Sequence, residues 1–228
     1  HGITLKYKKS DDGYIKLKSQ DFPDEEYFHI KSIIGYIPGS WGNYIRGAVL
    51  AISRKYIIEN GIEGIAHGSL PIGGLSSSAA VSSAYLLALA DVNGITLSQK
   101  EIIDMVQYIE NEYIGLKNGV LDQSVNVLSK KDHLLYLDTL TNEYTSIPLN
   151  NKTDEFEIMI VYSGLSKSLI STNYNQRVDE CRAASWYLKE ASGQEVGPFK
   201  QTKLRDVSFE TFEKHKDYLP TVFKKRAA

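Results

Sequence analysis

The segment 70–80, LPIGGLSSSAA, constrains this chain more than any other, because a loop of small residues runs directly into a helix pattern. Residues 81–93 are rich in Ala and Leu and carry one charge, Asp91, which predicts a helix from about Ser77 to Asn93. Such a helix start offers unpaired backbone N–H groups, small side chains and the positive end of a helix dipole, which suit a polyphosphate. One serine would suffice as a cap, so three hydroxyls behind two glycines and a proline favour phosphate binding. No Gly-Lys-Ser/Thr follows the glycines, which excludes the Walker type of loop.

The overall composition is that of an ordinary globular protein, with 42% hydrophobic and 24% charged residues among 228. The formal net charge of −2 gives no polyanion-binding field, so we expect no nucleic-acid partner. No apolar run approaches the ~20 residues of a membrane span, and we expect no membrane association. Cys181 is the only cysteine, which excludes an internal disulfide and fits the cytoplasm. The chain opens on His1 rather than methionine, so we expect its natural start to lie elsewhere.

Strand and helix patterns alternate along the first half of the chain. Residues 3–9 and 14–19 alternate polar and apolar around Asp11-Asp12-Gly13, which predicts a hairpin. Ser98 and Glu101 have the spacing of a capping box. The other predicted elements are a helix over 41–59, a strand over 62–70, a helix from Ser98 to about Tyr113, a loop over 115–119 and a helical segment beginning at or near Asp122.

In the second half, the patterns predict three strands followed by helices. The strands cover 133–138, 144–148 and 156–162, and the helical parts are 169–191 and the tail 204–228, with a linker over 192–201. Because strands and helices alternate without a regular βαβ period, we predict an α+β fold. A polar break near 153 predicts two domains, 1–153 and 154–228.

Some polar and aromatic residues have a structural and a chemical interpretation. Asp122 is compatible with a helix N-cap or with a base facing a hydroxyl, and on residue type alone capping is favoured. Glu110 and its neighbour Glu112 fit solvated surface, or one of them fits a Mg²⁺ ligand. Trp41 is favoured as a core or edge aromatic, and Tyr174 fits an ordinary amphipathic helix. The five histidines show no metal-ligand spacing, and hydrolase chemistry is poorly supported.

Four blocks in this order resemble the GHMP sugar and metabolite kinases, and within them the galactokinase branch. They are 40–47 (SWGNYIRG), 71–80 (PIGGLSSSAA), 110–123 (ENEYIGLKNGVLDQ) and 174–181 (YNQRVDEC). The segment 115–124 is most similar to galacturonate kinases, because ordinary galactokinases usually carry Pro-Cys where this chain has Lys117-Asn118. Both galactose and galacturonate therefore remain open as substrates.

The resemblance implies an ATP-dependent sugar-1-kinase that makes a sugar 1-phosphate and ADP. It implies an N-terminal nucleotide- and sugar-binding domain that resembles a ribosomal-protein S5 domain 2, followed by part of a ferredoxin-like domain. The implied partners are a sugar and ATP, with Mg²⁺, in a monomer or weak dimer. The implied site residues are Gly73, Gly74, Leu75, Ser76, Ser77 and Ser78 for the triphosphate, Trp41 near the base, Ser78 and Glu110 for Mg²⁺, Asp122 as the catalytic carboxylate, and Gly119, Asp122 and Tyr174 for the sugar.

The chain departs from the family pattern in three places. The phosphate loop is one residue shorter than usual, and neither the family's first motif (Arg, then Gly-Glu-His-x-Asp) nor its last Gly-rich loop is present. We therefore expect a fragment, inactive or weak by itself, that lacks a catalytic Arg. The competing functions are a non-enzymatic sugar and ATP sensor, and a kinase for mevalonate or homoserine. Asp122-Gln123 and the triple serine argue against the second of these.

Overall fold

The computed structural model describes residues 2–69, 75–149, 157–161 and 172–228. The chain divides into two compact units, His1–Ser168 and Leu169–Ala228. The predicted domain boundary near 153 falls in the segment 150–156, outside the described residues, and it stays a prediction. Among the described residues, no helix combines the length and the apolar character that crossing a membrane requires.

The first unit contains a four-stranded sheet whose central pairing differs from the one predicted. Its strands are β1 (Ile3–Ser10), β2 (Tyr14–Ser19), β3 (Glu25–His29) and β4 (Gly61–Gly68), in the order β1-β4-β2-β3. The strands β1 and β2 form as predicted, but the predicted hairpin is wrong because β4 lies between them. It pairs antiparallel with β1 and parallel with β2. The alternation of polar and apolar residues specifies which face of a strand is buried, but it does not specify which other strand lies beside it in the sheet.

Local contacts in the turn replace the ladder that a hairpin would have. The Asp12 carboxylate accepts hydrogen bonds from Ser10 Oγ (2.5 Å) and from the backbone N–H of Tyr14 (3.1 Å). The turn is therefore closed without pairing β1 to β2, which leaves their facing edges free for β4. Two glycines of β4 permit the close approach, since a Cβ on Gly61 would lie 2.1 Å from Tyr14 O and one on Gly64 would lie 2.3 Å from Lys6 O.

Helices pack on one side of this sheet. They are α1 (Asn43–Ser53), α2 (Ser77–Val92), α3 (Gln99–Tyr108), which continues into a π-helical turn (Ile109–Tyr113), and α4 (Leu121–Leu128). The helix α2 contacts β1 and β4 directly, and the other helices pack against α2 or against each other. The predicted bounds of the second helix and the predicted capping box of Ser98 with Glu101 are confirmed. One continuous core joins the sheet to the helices, and its fully buried members include Ile15, Leu17, Ile45, Ile52, Ile62, Leu86, Leu89, Val106 and Ile109.

The helix α1 is shorter than the predicted 41–59, because the chain after it is held by another element. Asn93, which follows α2, accepts hydrogen bonds through Oδ1 from the backbone N–H groups of Glu59 and Asn60, both at 2.9 Å. Its Nδ2 donates to Asn60 O at 3.0 Å. These contacts fix residues 59–60 in a non-helical conformation that leads directly into β4.

The predicted strands after α4 are confirmed in part. The strands β5 (His133–Leu137) and β6 (Tyr144–Pro148) form as predicted, and the structure shows that they pair antiparallel with each other. The predicted strand over 156–162 is wrong for 157–161, which are not part of any strand, and its two end residues lie outside the described part. Ile158, Met159 and Val161 are each exposed by 80% or more, so no described strand supplies the pairing this run would need.

The second unit is helical where the structure describes it. It contains α5 (Tyr174–Ala191), α6 (Phe209–His215) and α7 (Thr221–Ala227), with short 3₁₀ turns between α5 and α7. Leu188, Phe212 and Leu219 form its small core, and Arg226 Nε lies 2.7 Å from Glu180 Oε2. The predicted helical tail is confirmed, whereas α5 begins at Tyr174 rather than 169; residues 169–171 lie outside the described part. The ferredoxin-like character stays a prediction.

We predict that Gly64→Ala destabilises the first unit, because the added Cβ would lie within 2.3 Å of the Lys6 backbone oxygen. Relieving this contact requires a shift of β1 or β4, at a cost of about 2–3 kcal/mol in the free energy of unfolding. Urea unfolding followed by circular dichroism measures the effect. Gly35→Ala is the matched control, since nothing lies within 4 Å of its Cβ position. Equal stability of the two variants would contradict the close approach of β1 and β4.

Candidate active site

The start of α2 places its serines in different roles. Ser76 is the N-cap residue, and its backbone is left-handed, with φ 54° and ψ 28°. This conformation is unfavourable for a residue other than glycine and is frequent at functional sites. Its hydroxyl does not cap the helix, so the first-turn N–H groups are not occupied by their own cap side chain. Leu75 precedes Ser76 and Ser77 opens the helix, while the predicted phosphate ligands Gly73 and Gly74 lie outside the described residues.

Two hydroxyl–carboxylate pairs connect the start of α2 to distant parts of the chain. Ser76 Oγ donates to Asp122 Oδ1 at 2.7 Å, across 46 residues of sequence. Ser78 Oγ donates to Glu110 Oε1 at 2.6 Å, across 32 residues. The structure therefore brings together four residues that the sequence singled out separately.

Glu110 is buried, although it belongs to an acidic stretch of sequence. It lies in the π-helical turn after α3, where the N–H of Ile114 donates to Ile109 O at 2.9 Å. Turns of this kind are rare and occur frequently at functional sites. The side chain of Glu110 has 1% exposure, whereas Glu112 is exposed and matches the surface interpretation.

Three neutral side chains donate to the Glu110 carboxylate. Ser78 binds Oε1, and the side-chain amides of Asn118 (2.8 Å) and Gln123 bind Oε2. None of the ion pairs between described residues includes Glu110. Three hydrogen bonds offset part of the cost of burying this carboxylate, and its negative charge is not neutralised by a described side chain, so the environment is compatible with a bound cation.

The oxygen atoms present here fit Mg²⁺. This ion takes few protein ligands, usually one or two carboxylates together with phosphate oxygens and water. Ser78 Oγ and Glu110 Oε1 form such a small donor set. The described residues hold no cluster of three or more His, Cys, Asp or Glu side chains, so a nucleotide and water would supply the other ligands.

Asp122 lies in the first turn of α4 and does not cap it. The N-cap is Val120, and no side chain caps that helix end, so the capping interpretation is wrong. The reason is a contact with a distant part of the chain. The Asp122 carboxylate accepts a hydrogen bond from the Ser76 hydroxyl instead of from the N–H groups of its own helix. In the described part of the chain, no hydrogen bond occupies its second oxygen, Oδ2, which is therefore available to a substrate hydroxyl.

Residues 43–130, which carry the elements of this site, match the family model described as the GHMP kinases N terminal domain. This chain carries a GHMP kinase N-terminal domain. It is 38% identical to a galacturonokinase of Arabidopsis thaliana, over 99% of this chain and 57% of the relative. It is 34% identical to a galactokinase of Thermotoga neapolitana, over 73% of this chain and 47% of the relative. The chain thus spans about half the length of the curated relatives it matches.

Solved structures agree with this assignment. A Lactococcus lactis galactokinase complexed with galactose has a TM-score of 0.81 and 25% identity, over 99% of this chain and 57% of the other. The Methanococcus jannaschii mevalonate kinase shares the fold. It is 21% identical, with a TM-score of 0.53, over 64% of this chain and 45% of the other. The α+β class and the GHMP-kinase fold predicted from the sequence are confirmed.

The remaining predicted site residues lie at different places in the two units. Trp41 is buried in the core of the first unit and stacks on Phe22, with ring centroids 6.5 Å apart, which confirms the core interpretation. Gly119 lies in the loop before α4, with open space where a Cβ would be. Tyr174 is the first residue of α5 in the second unit. Their roles toward the base and the sugar stay predictions.

The sequence reasoning missed Arg46, which is fully buried in α1. Its guanidinium contacts Glu26 Oε1 at 2.9 Å, Ser40 Oγ at 2.7 Å and Gly35 O at 3.3 Å. Arg46 therefore holds the chain before Trp41 against β3. The sequence feature that could have indicated its burial is that Arg46 is the single charged residue within α1.

Tyr44 in α1 is electrostatically coupled to Glu110. Burial of the Tyr44 phenol, followed by the Glu110 carboxylate and then by Tyr36, raises the pKa of Tyr44 to about 12. The neutral phenol is therefore favoured in the folded chain. The neutral Tyr44 phenol stabilises the folded chain fully at pH values below the ordinary tyrosine pKa near 10. This stabilisation is lost as the pH rises from 10 toward 12.

We predict that Tyr44→Phe reduces the loss of stability between pH 9 and pH 11 by about 1 kcal/mol, because this variant removes the group that must stay neutral. Urea unfolding at both pH values measures the effect. Tyr218→Phe is the matched control, since Tyr218 is 76% exposed. If both variants show the pH dependence of the unmodified protein, the burial of Tyr44 beside Glu110 is contradicted.

Proposed function

We propose that this protein is a galactokinase-like sugar-1-kinase, which transfers the γ-phosphoryl group of ATP to the anomeric hydroxyl of a galactose-type sugar. The observation that carries the proposal is the convergence of the Ser76–Asp122 and Ser78–Glu110 pairs at the start of α2. A phosphate-binding helix start, a small oxygen donor set and a carboxylate with one uncommitted oxygen are the three parts that this reaction needs. The similarity to a galacturonokinase and to galactokinases supports the same reaction.

Each part of the site has a role in the proposed reaction. The start of α2, with the predicted ligands Gly73, Gly74, Leu75 and the three serines, binds the triphosphate through N–H groups and hydroxyls. Ser78 and Glu110 would hold Mg²⁺, which would neutralise negative charge on the phosphates. Asp122 orients the anomeric hydroxyl and takes its proton as the sugar oxygen bonds to the γ-phosphorus, while the bond from this phosphorus to the β–γ bridging oxygen breaks and ADP leaves. Most of the rate acceleration then comes from positioning and charge stabilisation.

Ser76 keeps the carboxylate of Asp122 in one orientation. Its hydroxyl occupies Oδ1, which leaves Oδ2 as the oxygen for the sugar. The left-handed backbone of Ser76 turns the side chain away from its own helix and allows this contact. Ser76 therefore couples the phosphate-binding segment to the carboxylate that acts on the sugar.

The substrate class is a galactose-type sugar. The similarity of this chain to a galacturonokinase supports a uronate, which carries a carboxylate at C6 where galactose presents a hydroxyl. Comparison of kcat/KM for the two sugars, on the natural protein that contains this chain, decides between them.

The accessory parts of the proposal follow from the composition and from the family resemblance. The protein acts in the cytoplasm as a monomer or weak dimer, on ATP and a small sugar, without a nucleic-acid or membrane partner. A sugar and ATP sensor without catalysis is the competing function. Retention of Asp122 together with all three serine hydroxyls favours the enzyme, because a sensor does not need a proton acceptor.

We predict that Asp122→Asn lowers kcat for the preferred sugar at least about 100-fold, because the amide cannot take the proton of the hydroxyl. Binding of Mg·ATP is expected to stay unchanged. Sugar-dependent ADP formation and calorimetry on the natural protein measure the two quantities, with Asp104→Asn on the exposed side of α3 as the matched control. Full activity of Asp122→Asn would refute the assigned role. Binding of both sugars by the unmodified protein without turnover would establish the sensor instead.

A further inference from the structure

The loop between the π-helical turn and α4 folds back onto Glu110. The N–H of Leu116 donates to Glu110 O at 2.8 Å, and the N–H of Asn118 donates to Leu116 O at 2.9 Å. Leu116 is buried, so the loop is anchored by packing as well as by backbone contacts. Asn118 is thereby placed within hydrogen-bonding distance of the Glu110 carboxylate.

A chain of side-chain amides fixes the orientation of Asn118. Asn111 Nδ2, from the π-helical turn, donates to Asn118 Oδ1 at 2.7 Å and to the backbone oxygen of Asn118 at 3.3 Å. Since Oδ1 is engaged as an acceptor, Nδ2 of Asn118 is directed to Glu110 Oε2, at 2.8 Å. Only one orientation of the Asn118 amide lets Asn111 donate to it and lets it donate to Glu110.

The two oxygens of Glu110 consequently have different partners. Oε2 accepts from the amides of Asn118 and Gln123, whereas Oε1 accepts only the hydroxyl of Ser78 among the described residues. A metal ion can replace the proton of a hydroxyl–carboxylate contact, but it cannot replace an amide that donates to the other oxygen. Oε1 is therefore the oxygen that is presented for coordination.

We propose that Asn118 is a positioning residue for the metal site: by holding Oε2, with its own amide fixed by Asn111, it presents Glu110 Oε1 beside Ser78 Oγ to the cation. This inference rests on the metal pair of the proposed function. Residues that orient a metal ligand from the side away from the metal typically change metal affinity 10- to 100-fold when removed. A residue that only satisfied a buried carboxylate would instead affect stability without changing the dependence of nucleotide binding on metal.

The test uses Mn²⁺ as the probe, on the natural protein that contains these residues. Mn²⁺ affinity in the presence of ATP is measured by electron paramagnetic resonance, and ATP binding without divalent metal is measured by calorimetry. Asn118→Ala is expected to weaken Mn²⁺ binding about tenfold and to leave metal-free ATP binding unchanged. Gln99→Ala removes an exposed amide of α3 and is the matched control, for which both affinities are expected to stay unchanged.

Glu110→Gln separates this inference from the proposed function. If Glu110→Gln loses Mn²⁺ affinity and Asn118→Ala does not, the positioning role of Asn118 is wrong and the metal pair stands. If the unmodified protein binds Mn²⁺ with ATP no more tightly than Glu110→Gln does, the metal pair itself is wrong and the role of Asn118 falls with it.

Asn111→Ala provides the test if Asn118→Ala does not fold. This variant keeps the contact between Asn118 and Glu110 but frees the Asn118 amide to rotate. We expect Mn²⁺ binding in the presence of ATP to weaken about threefold, a smaller change because Asn111 acts one step farther from the metal. Unchanged Mn²⁺ affinity in a folded Asn111→Ala protein would overturn the proposal.

Discussion

Burial of the Glu110 carboxylate is the constraint on which the arrangement of the site depends. A carboxylate at 1% exposure loses nearly all of its hydration, and this costs several kcal/mol unless protein donors or a cation replace the water. Ser78 from α2, Asn118 from the loop and Gln123 from α4 supply those donors. Three separate parts of the chain therefore meet at the Glu110 carboxylate. This arrangement places Glu110 Oε1 beside Ser78 Oγ, as a nucleotide-bound Mg²⁺ would need.

Two carboxylates lie near the start of α2, and their surroundings differ. Glu110 is enclosed and accepts hydrogen bonds from three neutral side chains, with a single donor on Oε1 among the described residues, which suits a metal ligand. Asp122 is partly exposed, and one of its oxygens has no partner among the described residues, which suits contact with a substrate hydroxyl. Different environments commonly give neighbouring carboxyl groups different roles in catalysis. Ser76 and Ser78, two residues apart, each contact one of the two groups and so set their spacing relative to the phosphate-binding segment.

Sequence patterns predicted the local features well, because caps and periodicity depend on nearby residues. The bounds of α2, the capping box of Ser98 and the strands β5 and β6 are examples. The predictions that failed depend on distant contacts: β4 separates β1 from β2, and Ser76 draws Asp122 away from capping. The positions of Glu110 and Asn118 also escape pattern reasoning, since a π-helical turn rotates the acidic stretch by an amount that no local rule specifies. The resemblance to GHMP kinases singled out Glu110 and Asp122 where local rules favoured surface and capping.

A crystal structure of the natural protein with Mg²⁺, a non-hydrolysable ATP analogue and galacturonate or galactose tests the central claim most directly. We predict Mg²⁺ at about 2.1 Å from Ser78 Oγ and from Glu110 Oε1. We also expect the terminal phosphate of the analogue at the start of α2, and Asp122 Oδ2 within hydrogen-bonding distance of the anomeric hydroxyl. A nucleotide bound away from α2, or a metal ion that touches neither Ser78 nor Glu110, would contradict the account.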